Sequence, residues 1–193
     1  SGAGGEPAFV EAGTTEVRID GLVNGTAYVF RVSAENDAGG GPAAEAAPVT
    51  PSTVPDAPTD VRATAGDRSA TVTWEAPTFD GGRVLSGFRV TSVPPGFSTT
   101  TDAGTTTATL SGLVNGTEYA FEVEAENANG RDPAAVSDPV TPRTRPGRPT
   151  AVVAVAGNAE VHVSWAPPLD DGGGAITQYT LVSDPSPFTS IVP

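Results

Sequence analysis

Apolar and polar residues alternate along residues 118–126. Tyr119, Phe121, Val123 and Ala125 hold one parity, and Glu118, Ala120, Glu122, Glu124 and Glu126 the other. A period of two sends successive side chains to opposite faces, so this stretch predicts a strand with one face in a core. Leu113 and the turn dipeptide Asn115-Gly116 precede it; both turn residues accept a positive φ. The whole block, LVNGTEYAFEVEAEN at 113–127, has already occurred as LVNGTAYVFRVSAEN at 22–36, 91 residues earlier. A strand that returns at such a period predicts tandem β domains.

The rest of the chain falls into place around these two blocks. Residues 14–19 alternate as a strand, with Val17 and Ile19 on one face. The strand 28–35 follows, then a hairpin loop at Gly39-Gly40-Gly41-Pro42, and a last strand ends near Thr50-Pro51. Two prolines within 51–55 predict a short, stiff linker. Strands are then expected over 61–65, 70–75 with Val72 and Trp74 inward, 85–90 with Phe88 and Val90 inward, and 108–110. Pro77 to Gly82 reads as a loop and Asn129-Gly130 as a turn; the final strand ends near Val140-Thr141-Pro142. A second proline-bounded linker covers 142–146.

After it the pattern restarts. Pro146, Pro149, Ala156-Gly157, Trp165, Pro168, Asp171-Gly172-Gly173, Ile176 and Tyr179 stand 91 residues beyond Pro55, Pro58, Ala65-Gly66, Trp74, Pro77, Asp80-Gly81-Gly82, Leu85 and Phe88. The expected layout is therefore the late half of one domain at 1–51, a complete domain at 52–142, and the early half of a third at 143–193.

Composition narrows the chemistry. The 23 Gly and 19 Pro suit many short strands joined by turns. No apolar run is long enough for a membrane-spanning helix, so no membrane insertion is expected. The absence of Cys removes disulfides, thiolate zinc sites and a cysteine nucleophile. A net charge of −13 repels nucleic acid and anionic membranes. The chain opens Ser1-Gly2-Ala3 without Met, so a natural start and any signal peptide are expected upstream. Arginine as the strong base without lysine, beside abundant Ala, Gly and Asp, suggests a GC-rich bacterial genome.

The proline-rich start, Trp74 on the second strand, Phe88 on the third and the Leu-x-Asn-Gly-Thr-x-Tyr-x-Phe-x-Val-x-Ala-x-Asn run together resemble fibronectin type III domains. The resemblance covers essentially the whole chain. It implies an all-β fold, an immunoglobulin-like sandwich of seven strands in two antiparallel sheets with no disulfide, here in tandem at a 91-residue period. It also implies that Tyr119, and Tyr28 in the earlier copy, make a tyrosine corner. Bacterial members of the family commonly occur in secreted or cell-surface proteins, often beside carbohydrate-active domains, which sets extracellular as the expected location.

Candidate chemistry is sparse. His162 lies on an expected strand whose Val161, Val163 and Trp165 point inward, so the imidazole faces out, with no second His or Cys for a triad or zinc site. Glu118, Glu122, Glu124 and Glu126 share a solvated strand face, where Arg89 can pair with one of them; an acid–base pair needs a cleft instead. The Asp170-Asp171-Gly172-Gly173-Gly174 run lacks the spaced oxygen ligands of a calcium loop and reads as a turn. Asn24-Gly25-Thr26 and Asn115-Gly116-Thr117 match a glycosylation acceptor, but turn chemistry already explains them. Gly66-Asp67-Arg68 and Gly130-Arg131-Asp132 only permute an integrin-binding triplet. Eight aromatics are assigned inward, leaving Phe9, Phe79, Phe97 and Phe188 scattered over loops, which is no platform for sugars. No catalytic residue, cofactor or metal is expected. The reading is a non-catalytic spacer, with a protein- or glycan-binding module acting through loops around Asp80 or Asn129 as the alternative. Expected partners are neighbouring domains of the parent protein, an unknown protein or glycan, and a second copy joined head to tail through open domain halves.

Overall fold

The computed structural model describes residues 9–184 and 189–192. By internal packing the chain divides into two compact units, Ser1–Thr53 and Val54–Pro193.

Among its described residues the first unit holds four strands of two residues each: β1 (Arg31–Val32), β2 (Glu35–Asn36), β3 (Gly39–Gly40) and β4 (Ala44–Glu45). They pair as β1 with β4 and β2 with β3, and Tyr28 bridges Val49. Residues 14–19, expected as a strand, form none. Their counterparts one period later, 105–110, form a strand only by pairing with a neighbour that the first unit does not contain, and a lone strand cannot satisfy its own backbone. Gly39 and Gly40 lie in a strand, not in the loop; the turn is Asp37-Ala38.

The second unit begins with a complete sandwich. Its strands are β5 (Thr59–Gly66), β6 (Ser69–Glu75), β7 (Leu85–Val93), β8 (Ser98–Asp102), β9 (Thr107–Ser111), β10 (Ala120–Asn127) and β11 (Gly130–Val136). One sheet runs β5-β6-β9 and the other β11-β10-β7-β8, all antiparallel. This is the immunoglobulin-like arrangement.

Alternation decides which faces meet. Ala70, Val72 and Trp74 of β6 and Ala108 and Leu110 of β9 point inward from one sheet; Phe88 and Val90 of β7 and Phe121, Val123 and Ala125 of β10 point inward from the other. Trp74 meets Phe88 edge-on at 5.4 Å between ring centroids, and Tyr119 meets Phe97 at 5.9 Å and 85°. Each fully buried Val, Leu or Phe contributes roughly 1.5–3 kcal/mol, so these side chains supply most of the favourable free energy of the sandwich.

β8 was not expected. Its sequence, STTTD, has no apolar alternation, and it forms the outer edge of its sheet. Gly87 admits it: a Cβ there would collide with the Thr101 carbonyl oxygen, so only glycine lets the two strands approach. Phe97, expected on an open loop, packs against the core.

Beyond the sandwich lie β12 (Thr150–Ala156) paired with β13 (Val161–Ala166), and β14 (Tyr179–Val182) paired with β15 (Thr189–Val192). Trp165 and Tyr179 contact at 5.4 Å, the separation found for Trp74 and Phe88. Here, however, both rings are only half-buried, and Val152, Val153, Val155 and Val161 are exposed.

Candidate functional site

The repeated turn blocks prove to be structural clamps. In residues 113–119 the Tyr119 hydroxyl accepts a hydrogen bond from the Val114 N–H at 3.3 Å, and the Tyr28 hydroxyl accepts one from the Val23 N–H at 2.9 Å. Both are the tyrosine corner expected from the resemblance. Asn115 does more than turn the chain. Its Oδ1 accepts from the Arg68 N–H at 2.9 Å and its Nδ2 donates to Asp67 Oδ1 at 2.9 Å, tying the β5–β6 turn to the β9–β10 turn. With both ends of its amide engaged and its side chain half-buried, Asn115 is a framework residue rather than a free acceptor for sugar. This role left no local signal, because the partners lie 47 and 48 positions away.

The acidic face of β10 carries ion pairs. Arg131 of β11 reaches Glu124 at 3.6 Å and Glu126 at 3.1 Å. Arg89, the expected partner, stands opposite Glu124 in register, yet the salt bridge goes to the other neighbouring strand. These pairs are open to solvent and each is worth no more than about 1 kcal/mol. On β5, Asp60 bonds Arg62 at 2.7 Å; that hydrogen bond, and then the charge of Asp60, hold the guanidinium above its ordinary pKa.

His162 is exposed on β13, opposite Val155. Asp170 and Asp171 spend one carboxylate oxygen each on the Gly172 and Gly173 N–H groups, at 2.8 and 2.9 Å. These are turn-forming bonds. Among the described residues, no group of three His, Cys, Asp or Glu is placed to hold a metal ion. No described helix is long and apolar enough to cross a membrane.

The loops around Asp80 and Asn129 are held together. Asn127 Nδ2 donates to the Asp80 carbonyl at 2.7 Å, Asp80 Oδ1 accepts from the Gly82 N–H at 2.9 Å, and Asn127 Oδ1 accepts from the Asn129 N–H at 2.8 Å. Asn127 is buried on the inward parity of β10, continuing the apolar series as its polar last member. A slot of about 400 Å³ opens between β8 and β9, lined by Phe97, Ser98, Thr99, Thr109, Leu110 and Ser111. Its lining is hydroxyl and apolar, with no charged or nucleophilic pair. Of the four aromatics assigned to loops, Phe9 is 84% exposed, Phe79 and Phe97 are half-buried, and Phe188 lies outside the described residues.

The family-model comparison agrees with this geometry. The family model of the fibronectin type III domain matches residues 56–143, which are the complete sandwich. The chain is 38% identical over 154 residues to endoglucanase B of Cellulomonas fimi, covering 74% of this chain and 14% of that protein. It is 38% identical over 131 residues to chitinase A1 of Niallia circulans, covering 63% of this chain and 18% of the relative. It is 30% identical over 183 residues to human neogenin, covering 88% and 12%. A crystal structure of titin domains aligns at 26% identity with a TM-score of 0.46, covering 63% of this chain and 42% of that one. The chain thus spans under a fifth of the curated relatives named here.

Proposed function

We propose that this chain is a non-catalytic spacer built from tandem fibronectin type III repeats, within a secreted or surface protein of bacterial origin. The observation that carries the reading is a repeat of backbone shape as well as of sequence. Positive φ recurs 91 residues apart at Asp60 and Ala151 (53° and 48°), Arg68 and Ala159 (49° and 57°), Gly25 and Gly116 (82° and 84°), and Gly39 and Gly130 (120° and 117°). For non-glycine residues this region is costly, so its return at Asp60/Ala151 and Arg68/Ala159 points to the same local architecture being built twice. That period supports the layout 1–51, 52–142 and 143–193. Matches of 154 and 183 residues to an endoglucanase and to neogenin run longer than one sandwich, which supports tandem units. The endoglucanase and chitinase relatives support a polysaccharide-degrading parent outside the cell.

The test has two parts. The excised segment 52–142 should unfold in one cooperative urea transition. The immobilised 193-residue chain should retain no ligand on a glycan array or in a pull-down. Saturable binding that Asp80→Ala with Asn129→Ala abolishes would move the function to the loop-based binding module.

A further inference from the structure

The second proline-bounded linker does not separate two independent bodies. Residues 143–147 are held from both sides. The Arg143 N–H donates to the Gly66 carbonyl of the sandwich at 3.2 Å, while the Thr144 N–H donates to the Gly172 carbonyl at 2.8 Å and the Gly147 N–H to the Asp170 carbonyl at 2.8 Å. Just behind, the Gly116 N–H donates to the Pro142 carbonyl at 2.9 Å.

Two backbones then touch. A Cβ on Gly173 would fall inside contact distance of the Gly116 nitrogen, 2.6 Å from the Asn115 carbonyl carbon and 2.9 Å from the Asn115 Cβ. Seen from the other side, a Cβ on Gly116 would sit 3.1 Å from the Gly173 Cα. Gly172 is buried, and a Cβ there would meet the Thr144 carbonyl. The loop 170–174 is pre-shaped for the approach by Asp170 and Asp171, whose carboxylates bond the Gly172 and Gly173 N–H groups. The receiving turn is pre-shaped by Asn115, which Asp67 and Arg68 hold.

We infer that the Asn115-Gly116 turn and the Gly66 edge form a docking surface for the Asp-Gly-Gly loop of the following repeat, so that the joint at 143–147 holds one orientation instead of flexing. Each partner is braced by hydrogen bonds of its own, which lowers the ordering entropy that opposes the contact. The glycines are there because any side chain would wedge the two turns apart. In sequence, Asn24-Gly25 and Gly81-Gly82 stand 91 residues before Asn115-Gly116 and Gly172-Gly173, and their glycines have φ of 82°, 80° and 79°. This deepens the spacer reading, from a chain that merely separates its neighbours to one that orients them.

The chain contains no cysteine, so two introduced ones are unique labelling sites. Thr100→Cys on β8 and His162→Cys on β13 are both exposed. Spin labels there on the full 193-residue chain should give one narrow distance distribution by electron–electron resonance. Inserting Gly-Ser-Gly-Ser between Arg145 and Pro146 leaves every strand intact and adds about 11 Å of r.m.s. reach, so the distribution should broaden by about that much. Gly173→Val should broaden it too, with strand signals of 150–166 unchanged in amide spectra. A broad distribution in the parent chain, or one that neither change alters, overturns the docking surface. Either result leaves the spacer reading standing, as a flexible spacer; a ligand on the array overturns that reading and leaves the joint untouched.

Discussion

Trp74→Ala in the excised sandwich 52–142 is the sharpest probe of the core. The indole is 4% exposed and lies edge-on to Phe88 with centroids 5.4 Å apart. Burying roughly 200 Å² of aromatic surface at about 25 cal/mol per Å² sets an upper bound near 5 kcal/mol. The aromatic pair adds about 0.5–1.5 kcal/mol, and partial collapse of the cavity recovers some of the loss. Truncations of this kind fall at about 3–5 kcal/mol, a large share of the roughly 5–15 kcal/mol available to a domain. With an m-value near 1 kcal/mol/M for a small sandwich, the urea midpoint should drop by about 3–5 M at unchanged slope. Circular dichroism is the readout, because Trp165 lies outside the segment and the variant has no indole to report. Trp74→Phe sharpens the argument. Phenylalanine keeps most of the apolar area and the aromatic contact with Phe88 that alanine loses. Phenylalanine should therefore cost much less than half the alanine loss. A loss under about 1 kcal/mol for alanine would refute Trp74 as the centre of the core.

Tyr119→Phe should keep the fold and cost about 0.5–1 kcal/mol, at the low end because the bond to the Val114 N–H is long at 3.3 Å; a neutral urea midpoint would show that the corner bond contributes nothing. Gly87→Ala should cost about 1–3 kcal/mol, since its Cβ must push β8 from β7, and amide exchange should rise along Ser98–Asp102 first; protection equal to the parent would contradict the close approach. The 193-residue chain should gain mass with concentration in light scattering. Val17, Ile19 and Val32 of one copy and Val152, Val155 and Val161 of another are exposed and complementary by the repeat offset. A monomer at all concentrations, with both ends protected from exchange, would defeat head-to-tail pairing.

What could be read in advance depended on whether a residue's job was periodic or relational. β6, β7 and β10 announce themselves because Val72, Trp74, Phe88, Phe121 and Val123 recur at every second position beside polar neighbours. The tyrosine corner was legible through the family resemblance carried by the run around Tyr119, and its donor lies five residues away. β8 was not, because an edge strand with hydroxyl side chains has no apolar face to betray it. Nor were Asn115 as a clamp, Arg131 as the partner of Glu124 and Glu126, or Gly173 against Gly116. Each takes its meaning from a residue brought close only by folding. Residues 14–19 show the converse: a strand pattern needs a neighbour as well as alternation.

The four edges of the sandwich bear on a hazard that repetition creates. Units that share the run LVNGT and its flanking strand can lend strands to one another during synthesis, since the wrong copy fits nearly as well as the right one. The outermost strands discourage the simplest error, sheet extending onto sheet. β5 breaks register between Thr59 and Arg62 and carries the Asp60–Arg62 ion pair; β11 is opposed by a break between Glu124 and Glu126 and carries Arg131. β8 and β9 are only five residues long. Bulges, charge and shortness each spoil an edge as a template. What they leave open is exchange of a whole strand between successive copies. A ribosome delivering one unit before the next is finished would suppress that exchange, whereas refolding the full chain from urea would expose it.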